Sequence, residues 1–264
     1  MTVNVELRGL AVWHGSRALV SPLDLQLGAG ESITILGESG SGKSLLAHAI
    51  MGTIAANLKA EGSLRCDGRE YDPADLSNRR AMWGRAMAIL PQEPVIALDP
   101  TMRTLPQVAE GLSITALAGE ADDMARERLG RLGLVGKEQH YPHTLSGGMA
   151  QRVAFAAATI SGARCLIADE PTKGLDSVAR DDMAGLLREH VVQGGLLLTI
   201  THDIALARQL GGRVLIMRDS EIVEQGDAQR VLNQPREAYS QELLGADPAA
   251  WDDIEHPAPG ELLI

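Results

Sequence analysis

The sequence predicts an α/β fold with an N-terminal antiparallel β layer, a main sheet and a helical subdomain. Residues 32–50, SITILGESGSGKSLLAHAI, have the pattern of a buried strand, a glycine-rich loop and a helix. Further short apolar segments have the pattern of buried strands, and a long stretch rich in Ala, Leu, Glu and Arg has a helical pattern. The 264 residues are 45% hydrophobic, which is enough for one domain of this class with a subdomain.

The N-terminal segments predict the antiparallel layer. Residues 3–7 and 23–27 alternate apolar and polar side chains, as strands with one buried face do. Residues 63–67 follow the same pattern and complete the layer. Trp13 lies between the first two of these strands, near a predicted turn.

The loop from Gly37 to Ser44 has the spacing G-x-x-x-x-G-K-[ST]. Gly40 and Gly42 allow the backbone N–H groups to turn inward, and the following helix directs its positive end at the same place. Lys43 can reach the β- and γ-phosphates of a nucleotide, and the hydroxyl of Ser44 can bind Mg²⁺. The loop therefore predicts a nucleoside triphosphate site, which kinases, GTPases, helicases and transport ATPases all have.

The middle of the chain predicts a central strand followed by a helical insertion. Residues 86–90, AMAIL, are apolar throughout, and the proline-bounded segment after them contains Gln92. Residues 107–136 have a helical pattern. We expect residues 93–157 to form a helical subdomain that returns to the main sheet.

The C-terminal half supplies the remaining elements of a domain that we expect to span residues 1–245. The tail, 246–264, is rich in Pro, Asp and Ala, and we expect it to be loosely ordered. The predicted elements are strand 165–168, helix 177–192, strand 196–200 and a hairpin of strands 213–217 and 221–226.

Composition argues against several classes of protein. The formal net charge of −11 argues against a nucleic-acid binder. The two cysteines are far apart in the sequence and indicate neither a disulfide framework nor a zinc site. A reducing compartment is therefore expected. The N-terminus has no signal pattern, and no apolar run is long enough to span a membrane, so we expect a soluble, cytoplasmic protein.

Two further motifs carry chemistry. The strand at 165–168 ends at Asp169 and Glu170, where one carboxylate can hold Mg²⁺ and the next can act as general base toward an attacking water. Taken alone, this pair also fits a solvated strand end. In LSGGMAQR, residues 145–152, the Ser-Gly-Gly sequence precedes a helix whose N-terminus suits an anion. Taken alone, it also fits an ordinary serine N-cap.

Together these motifs resemble those of the ATP-binding-cassette (ABC) ATPases, and the resemblance covers essentially the whole chain. It implies a P-loop NTPase core of ABC ATPase type, with ATP and Mg²⁺ as cofactors. The resemblance assigns catalysis to Glu170, His202 and Gln92, and metal binding to Ser44, Gln92 and Asp169. By themselves, Trp13 also fits a core position and His202 a strand end. The nucleotide contacts implied are Trp13, Gly37, Glu38, Ser39, Gly40, Ser41, Gly42, Lys43, Ser44, Leu45, Ser146, Gly147, Gly148 and Asp176.

Details of the motifs resemble one branch of this family, the importers of oligopeptides, dipeptides, nickel or metal–chelator complexes. These details are Glu38, Met149, Gly226, Pro235, Tyr239, Leu243 and Leu244. The resemblance implies a second ATPase subunit (a related chain or a second copy), two membrane permease subunits and, indirectly, an extracytoplasmic substrate-binding protein. It also implies a peripheral position at the cytoplasmic face of the inner membrane.

Two other classes of ABC ATPase share these motifs. The ATPase component of a non-transport complex such as phosphonate breakdown is the alternative that the residues leave open. DNA-repair and ribosome-associated members usually carry a long coiled-coil insertion or two cassettes, and the sequence has neither.

The segment 93–100 is the expected docking surface for the permease. We expect it to expose the apolar residues Val95, Ile96 and Leu98, and it is bounded by prolines that limit its backbone freedom. The alternative is a connector whose apolar residues pack under the helical insertion. Lys173 is expected to be a solvated loop charge, and no role is assigned to it.

Overall fold

The computed structural model describes residues 4–75, 79–112 and 118–246, and of residues 95, 96 and 118 only the backbone. Within these ranges, four strands form an antiparallel sheet and six form a second, mixed sheet that is covered by helices. The predicted α/β class is confirmed. The boundaries 1–245 and 93–157 stay predictions, and the expected tail lies outside the described residues except for Ala246.

The antiparallel sheet comes from the N-terminal part of the chain, as predicted. Its strand order is β2-β1-β4-β5, and all neighbours are antiparallel. The first two strands are longer than predicted. Their pairing shifts register between Leu7 and Leu10, next to Gly9, whose φ is 56°, and shifts again between Leu10 and Val12. Such a bulge interrupts the alternation by which a strand is recognised. The strands are β1 (Val5–His14), β2 (Arg17–Leu27), β4 (Lys59–Cys66) and β5 (Arg69–Tyr71).

The mixed sheet positions the chemistry. Its order is β10-β9-β3-β8-β7-β6, parallel except for β10, which forms the predicted hairpin with β9. Because β3, β8 and β7 are adjacent and parallel, their carboxyl ends meet at one edge, where ligands bind in folds of this kind. The strands are β3 (Ser32–Leu36), β6 (Met87–Leu90), β7 (Cys165–Asp169), β8 (Leu196–Thr201), β9 (Arg213–Arg218) and β10 (Glu221–Asp227).

Helices are present where predicted after the glycine-rich loop, after the Ser-Gly-Gly sequence and at 177–192. The predicted stretch 107–136 contains the end of one helix, which stops at Glu110, and a second helix that stops at Arg131. Two short C-terminal helices have no counterpart in the sequence analysis. The helices are α1 (Lys43–Met51), α2 (Pro94–Ala97), α3 (Thr104–Glu110), α4 (Ala118–Arg131), α5 (Gly147–Thr159), α6 (Ser177–Val192), α7 (Ile204–Leu210), α8 (Ala228–Asn233) and α9 (Ala238–Gly245).

The segment 93–100 is packed differently from the expectation. Proline at the first position of α2 starts one helical turn inside it. Leu98 is only 6% exposed and belongs to the same hydrophobic cluster as Leu105 and Val108 of α3. The expectation that Leu98 is exposed for docking is therefore wrong, because burying its side chain under the helices is more favourable than leaving it in water.

Helix α1 begins directly after the glycine-rich loop. At its other end, the last carbonyl groups accept hydrogen bonds from side chains of the segment between β5 and β6. Arg79 donates to the carbonyl oxygens of Ala49 and Ile50, and Trp83 Nε1 donates to that of Met51 at 2.9 Å. Among the described residues, no helix is both long enough and apolar enough to cross a bilayer.

Candidate nucleotide site

The glycine-rich loop joins β3 to α1, and it needs glycine for steric reasons. Gly42 has a φ of 106°, in the left-handed region that side chains disfavour. A Cβ at this position would also lie 2.6 Å from the carbonyl oxygen of Leu19 on β2. The antiparallel sheet therefore contacts the loop directly, and only glycine fits between them.

The ammonium group of Lys43 lies inside the loop. Nζ donates to the carbonyl oxygens of Gly37 and Glu38, both at 2.7 Å, and to Ser41 Oγ at 3.2 Å. Burial lowers the pKa of Lys43, and the nearby Glu170 and other carboxylates oppose that shift. These neutral acceptors hold a buried cation in place, and phosphate oxygens are stronger acceptors for the same donor.

Ser44 and Asp169 form the second part of the site. Ser44 Oγ, in the first turn of α1, donates to Asp169 Oδ1 at the carboxyl end of β7, at 3.1 Å. Burial raises the pKa of Asp169, and the hydrogen bond from Ser44 opposes the rise. Asp169 borders a cavity of about 440 Å³ together with Gln92 and His48. Hydroxyl, carboxylate and amide oxygens are hard ligands, so these residues fit Mg²⁺.

Glu170 follows Asp169 in a strained backbone conformation, and its carboxylate is held by neighbouring groups. Its φ of 48° is unusual for a non-glycine residue and costs roughly 1–3 kcal/mol. Thr201 Oγ1 donates to Oε2 at 2.9 Å, and the backbone N–H of His202 donates to the same oxygen at 3.4 Å. His202 Nδ1 lies 2.8 Å from Oε1. The carboxylate is therefore oriented by three contacts, all from the end of β8.

The carboxylate faces a cleft of about 760 Å³. The glycine-rich loop forms one side of it, and Glu170 and His202 lie on another. The side chain of Glu170 is 11% exposed, whereas that of His202 is 59% exposed. The imidazole is therefore free to contact a ligand, while the carboxylate is held behind it. The loop residues in the lining are Gly37, Glu38 and Ser39.

Another group of predicted residues lies together in a different cavity. Ser146, Gly147, Gly148 and Asp176 border a cavity of about 440 Å³ whose lining includes neither Lys43 nor Glu170. Ser146 Oγ accepts from Met149 N at 3.4 Å and caps α5. Asp176 Oδ1 accepts from Ala179 N at 2.9 Å and caps α6. A Cβ on Gly148 would lie 2.9 Å from Ala179 Cβ, so glycine permits the two helix starts to touch.

Trp13 is the residue predicted to stack on adenine. It lies on β1, paired with Ala18 and Lys59, and just before the predicted turn. Its indole Nε1 is buried without a hydrogen-bond partner, and the ring does not line the cleft of Glu170 and His202. The structure thus leaves stacking on adenine as a prediction.

Sequence reasoning missed several residues at the site. Thr201, which orients Glu170, immediately precedes His202 and could have been found from that adjacency. Lys173, which had no assigned role, has its Nζ 3.9 Å from Glu93 Oε1. The buried amide Nε2 of Gln151 has no hydrogen-bond partner, and Gln151 borders a cavity of about 280 Å³ together with Gln92.

Fold and site together define a class of protein. A mixed sheet with a glycine-rich loop after a central strand, a buried lysine at the end of the loop, and paired carboxylates at the end of the next strand but one are features of an α/β nucleoside triphosphatase. The fixed Glu170 beside the loop makes hydrolysis the reaction that the geometry suits.

Comparison with known proteins identifies the family. The family described as ABC transporter matches residues 20–173. DppD, a dipeptide transport ATP-binding protein of Escherichia coli K12, is 35% identical over 237 residues, covering 87% of this chain and 72% of DppD. The chain therefore belongs to the ABC transporter family.

Two further matches describe the extent of the likeness. YejF of Escherichia coli K12, described as an uncharacterized ABC transporter ATP-binding protein, is 36% identical over 260 residues, covering 94% of this chain. The chain spans 48% of the length of YejF, about half. A solved structure, the ATP-binding cassette MJ0796 in a dimeric post-hydrolysis state bound to ADP and Pi, has a TM-score of 0.74 and 26% identity. It covers 85% of this chain, and 98% of its own length is matched.

Proposed function

We propose that this chain is the ATP-hydrolysing subunit of an ABC importer for peptides. The observation that carries the proposal is the convergence of the Lys43 loop, Glu170 and His202 on one cleft, with Asp169 and Ser44 hydrogen-bonded beside it. The name of the relative DppD supports a dipeptide or other peptide as cargo, in preference to nickel or a metal–chelator complex.

Nucleotide binding follows from the loop. The backbone N–H groups of 39–45 and the N-terminus of α1 receive the phosphates, and the Lys43 ammonium exchanges its carbonyl partners for phosphate oxygens. Trp13 supplies the aromatic surface for the adenine. Ser44, Asp169 and Gln92 would hold Mg²⁺, which neutralises charge on the phosphates when it is bound.

Hydrolysis needs a base and a group that senses the terminal phosphate. Glu170 orients the attacking water and takes its proton at a carboxylate oxygen. Thr201 and the backbone N–H of His202 hold Oε2, so the carboxylate does not swing away. The exposed imidazole of His202 contacts the γ-phosphate, and its Nδ1 stays near Oε1.

The separate cavity of Ser146, Gly147, Gly148 and Asp176 supports a site shared between two subunits. The N-terminus of α5 is suited to an anion, yet the cavity does not include the Lys43 loop of the same chain. We propose that it completes the nucleotide site of a second ATPase subunit. The dimeric state named for the MJ0796 structure is in keeping with this arrangement.

The permease docks near residues 93–100, and the chain is peripheral to the cytoplasmic face of the inner membrane. Leu98 is buried, and the exposed charged residues of this surface are Glu93 and Asp99. An apolar cavity of about 330 Å³ shares Ile89 in its lining with the cavity of Gln92. A short amphipathic permease helix would bury apolar residues in this cavity. Ile96→Asp, in the segment, and Ala158→Asp, in the lining of this cavity, should each abolish permease co-purification without changing nucleotide affinity.

Uptake in cells tests the proposal. In a strain lacking the gene, the wild-type chain should restore uptake of a radiolabelled dipeptide, and Lys43→Ala should not. Glu110→Gln, an exposed change on α3, is the matched control and should restore uptake fully. Restored nickel uptake, or restored growth on a phosphonate as phosphorus source, with no effect on dipeptide uptake, would replace the peptide assignment.

A further inference from the structure

The C-terminal helix α9 forms part of the wall of the nucleotide cleft. Leu243 and the following Ala246 line the cleft together with the glycine-rich loop. On the same helix, Tyr239 is buried, with 7% of its surface exposed, and its hydroxyl oxygen accepts a hydrogen bond from the backbone N–H of Glu38 at 3.3 Å. A side chain 201 positions away in sequence thus contacts the backbone of the loop directly.

The peptide group that Tyr239 contacts also supports Lys43, because its carbonyl oxygen, which is that of Gly37, accepts from Lys43 Nζ at 2.7 Å. The N–H of Glu38 is held by Tyr239, and the carbonyl oxygen of the same residue accepts from Lys43 Nζ at 2.7 Å and from Ser41 N at 3.3 Å. The backbone of Glu38 is therefore bound at its N–H group by Tyr239 and at its carbonyl group by Lys43. If the phenol oxygen were removed, the Glu38 N–H would lose its partner, and the first turn of the loop would lose an anchor.

The end of β9 supports the tyrosine. The Arg218 guanidinium lies over its ring, 4.6 Å from the centroid. The turn after β9 also contacts the loop, because Ser220 N donates to the carbonyl oxygen of Ser41 at 3.1 Å. Burial raises the pKa of Tyr239. Helix α9 therefore contacts the loop at Glu38, and the turn after β9 contacts it at Ser41.

We propose that Tyr239 is a positioning residue for the nucleotide-binding loop, so that α9 sets the affinity for the phosphates. The inference rests on the proposed nucleotide site. A loop that is already held in its binding conformation loses less conformational entropy when a ligand binds. One hydrogen bond of this kind contributes roughly 0.5–1.5 kcal/mol, which corresponds to about a twofold to tenfold change in affinity.

Tyr239→Phe is the direct test, because it removes the hydroxyl and leaves the packing of the ring unchanged. The full-length purified chain is titrated with a fluorescent ATP analogue in the presence of Mg²⁺, and its Tm is measured without nucleotide. Tyr71→Phe, on β5 at the edge of the antiparallel sheet, makes the same chemical change away from the loop. Leu244→Ala removes a buried side chain of α9 that does not line the cleft.

The expected result is a Kd raised about twofold to tenfold in Tyr239→Phe, unchanged in Tyr71→Phe, with a faster dissociation rate and a Tm close to that of the wild type. Leu244→Ala should lower the Tm more and the affinity less. An unchanged Kd in Tyr239→Phe overturns the inference. The inference is also overturned if both variants lose affinity in the same proportion to their loss of Tm, because the effect would then come from general destabilisation. Absence of binding in the wild-type chain would instead contradict the proposed nucleotide site.

Discussion

Replacing Glu170 with glutamine separates the chemical role of this residue from its structural one. The carboxylate has two differently used oxygens. Oε2 accepts from Thr201 Oγ1 and from the backbone N–H of His202, and Oε1 lies 2.8 Å from His202 Nδ1. A glutamine can place its carbonyl oxygen at the first position and its NH₂ group at the second. The imidazole then accepts from the amide through its other neutral tautomer.

The size of the effect follows from these contacts. All three hydrogen bonds are retained, although neutral ones are weaker than those of a carboxylate, so the structural cost is about 1 kcal/mol and the Tm falls by roughly 2–4 °C. MgATP affinity should stay within about threefold of the wild type, because the loop is untouched. Losing a general base lowers turnover on the order of 10²- to 10⁴-fold.

The assay pairs nucleotide titration with phosphate release by the complex purified from cells. Glu110→Gln is the control for the charge change, and Lys43→Ala is the contrast, since it should weaken binding itself. A turnover rate for Glu170→Gln within threefold of the wild type would refute the role of Glu170 as base. Equal losses of affinity and turnover would show that the residue only shapes the pocket.

Three other substitutions or conditions have definite expected outcomes. Gly148→Ala should lower the Tm, because its methyl group would lie 2.9 Å from a side-chain carbon of α6, and overpacking costs about 1–3 kcal/mol; a Tm equal to the wild type would show that α5 and α6 separate freely. Burial raises the pKa of Cys66 to about 11 and raises that of Cys165, so a thiol reagent at pH 8 should label neither in the native chain and both in denaturant. Since the folded state favours the neutral thiol, this contribution to stability is present below pH 9.0 and is lost as the pH rises toward about 11, which a pH series of Tm values checks. Lys173→Gln, which breaks an exposed pair with Glu93, should change the free energy of unfolding by less than about 1 kcal/mol in urea titrations.

Much of the fold could be predicted because its signals are local. The apolar runs of β3, β6, β7 and β8 are buried on both faces, so their sequences are nearly continuous in hydrophobicity. Helix α6 was predicted to the residue, since Asp176 supplies an N-cap before a long amphipathic pattern. The observed β1 and β2 exceed their predicted lengths because the irregularities in their pairing, one at Gly9 and others between Leu10 and Trp13, interrupt the alternation.

What could not be predicted depends on contacts between distant parts of the chain. Leu98 has the same local sequence context whether it is exposed or buried, and only its packing under α3 decides between them. The contact of Tyr239 with Glu38 joins α9 to the glycine-rich loop, and no sequence periodicity encodes such a pair. Motif spacing did indicate Asp169, Glu170 and His202, because consecutive parallel strands bring their ends to one edge.

The division of the predicted residues between two cavities has a genetic consequence when the second ATPase subunit is another copy of this chain. A chain carrying Lys43→Ala has a defective loop and an intact Ser146 region, and a chain carrying Ser146→Arg has the reverse. Each alone forms only defective dimers. In a mixed dimer both defects fall in the same site, and the opposite site contains a normal loop from one chain and a normal Ser146 from the other. Co-expression of two inactive alleles should then restore one complete site, whereas an assembly with a different partner chain would show no such complementation.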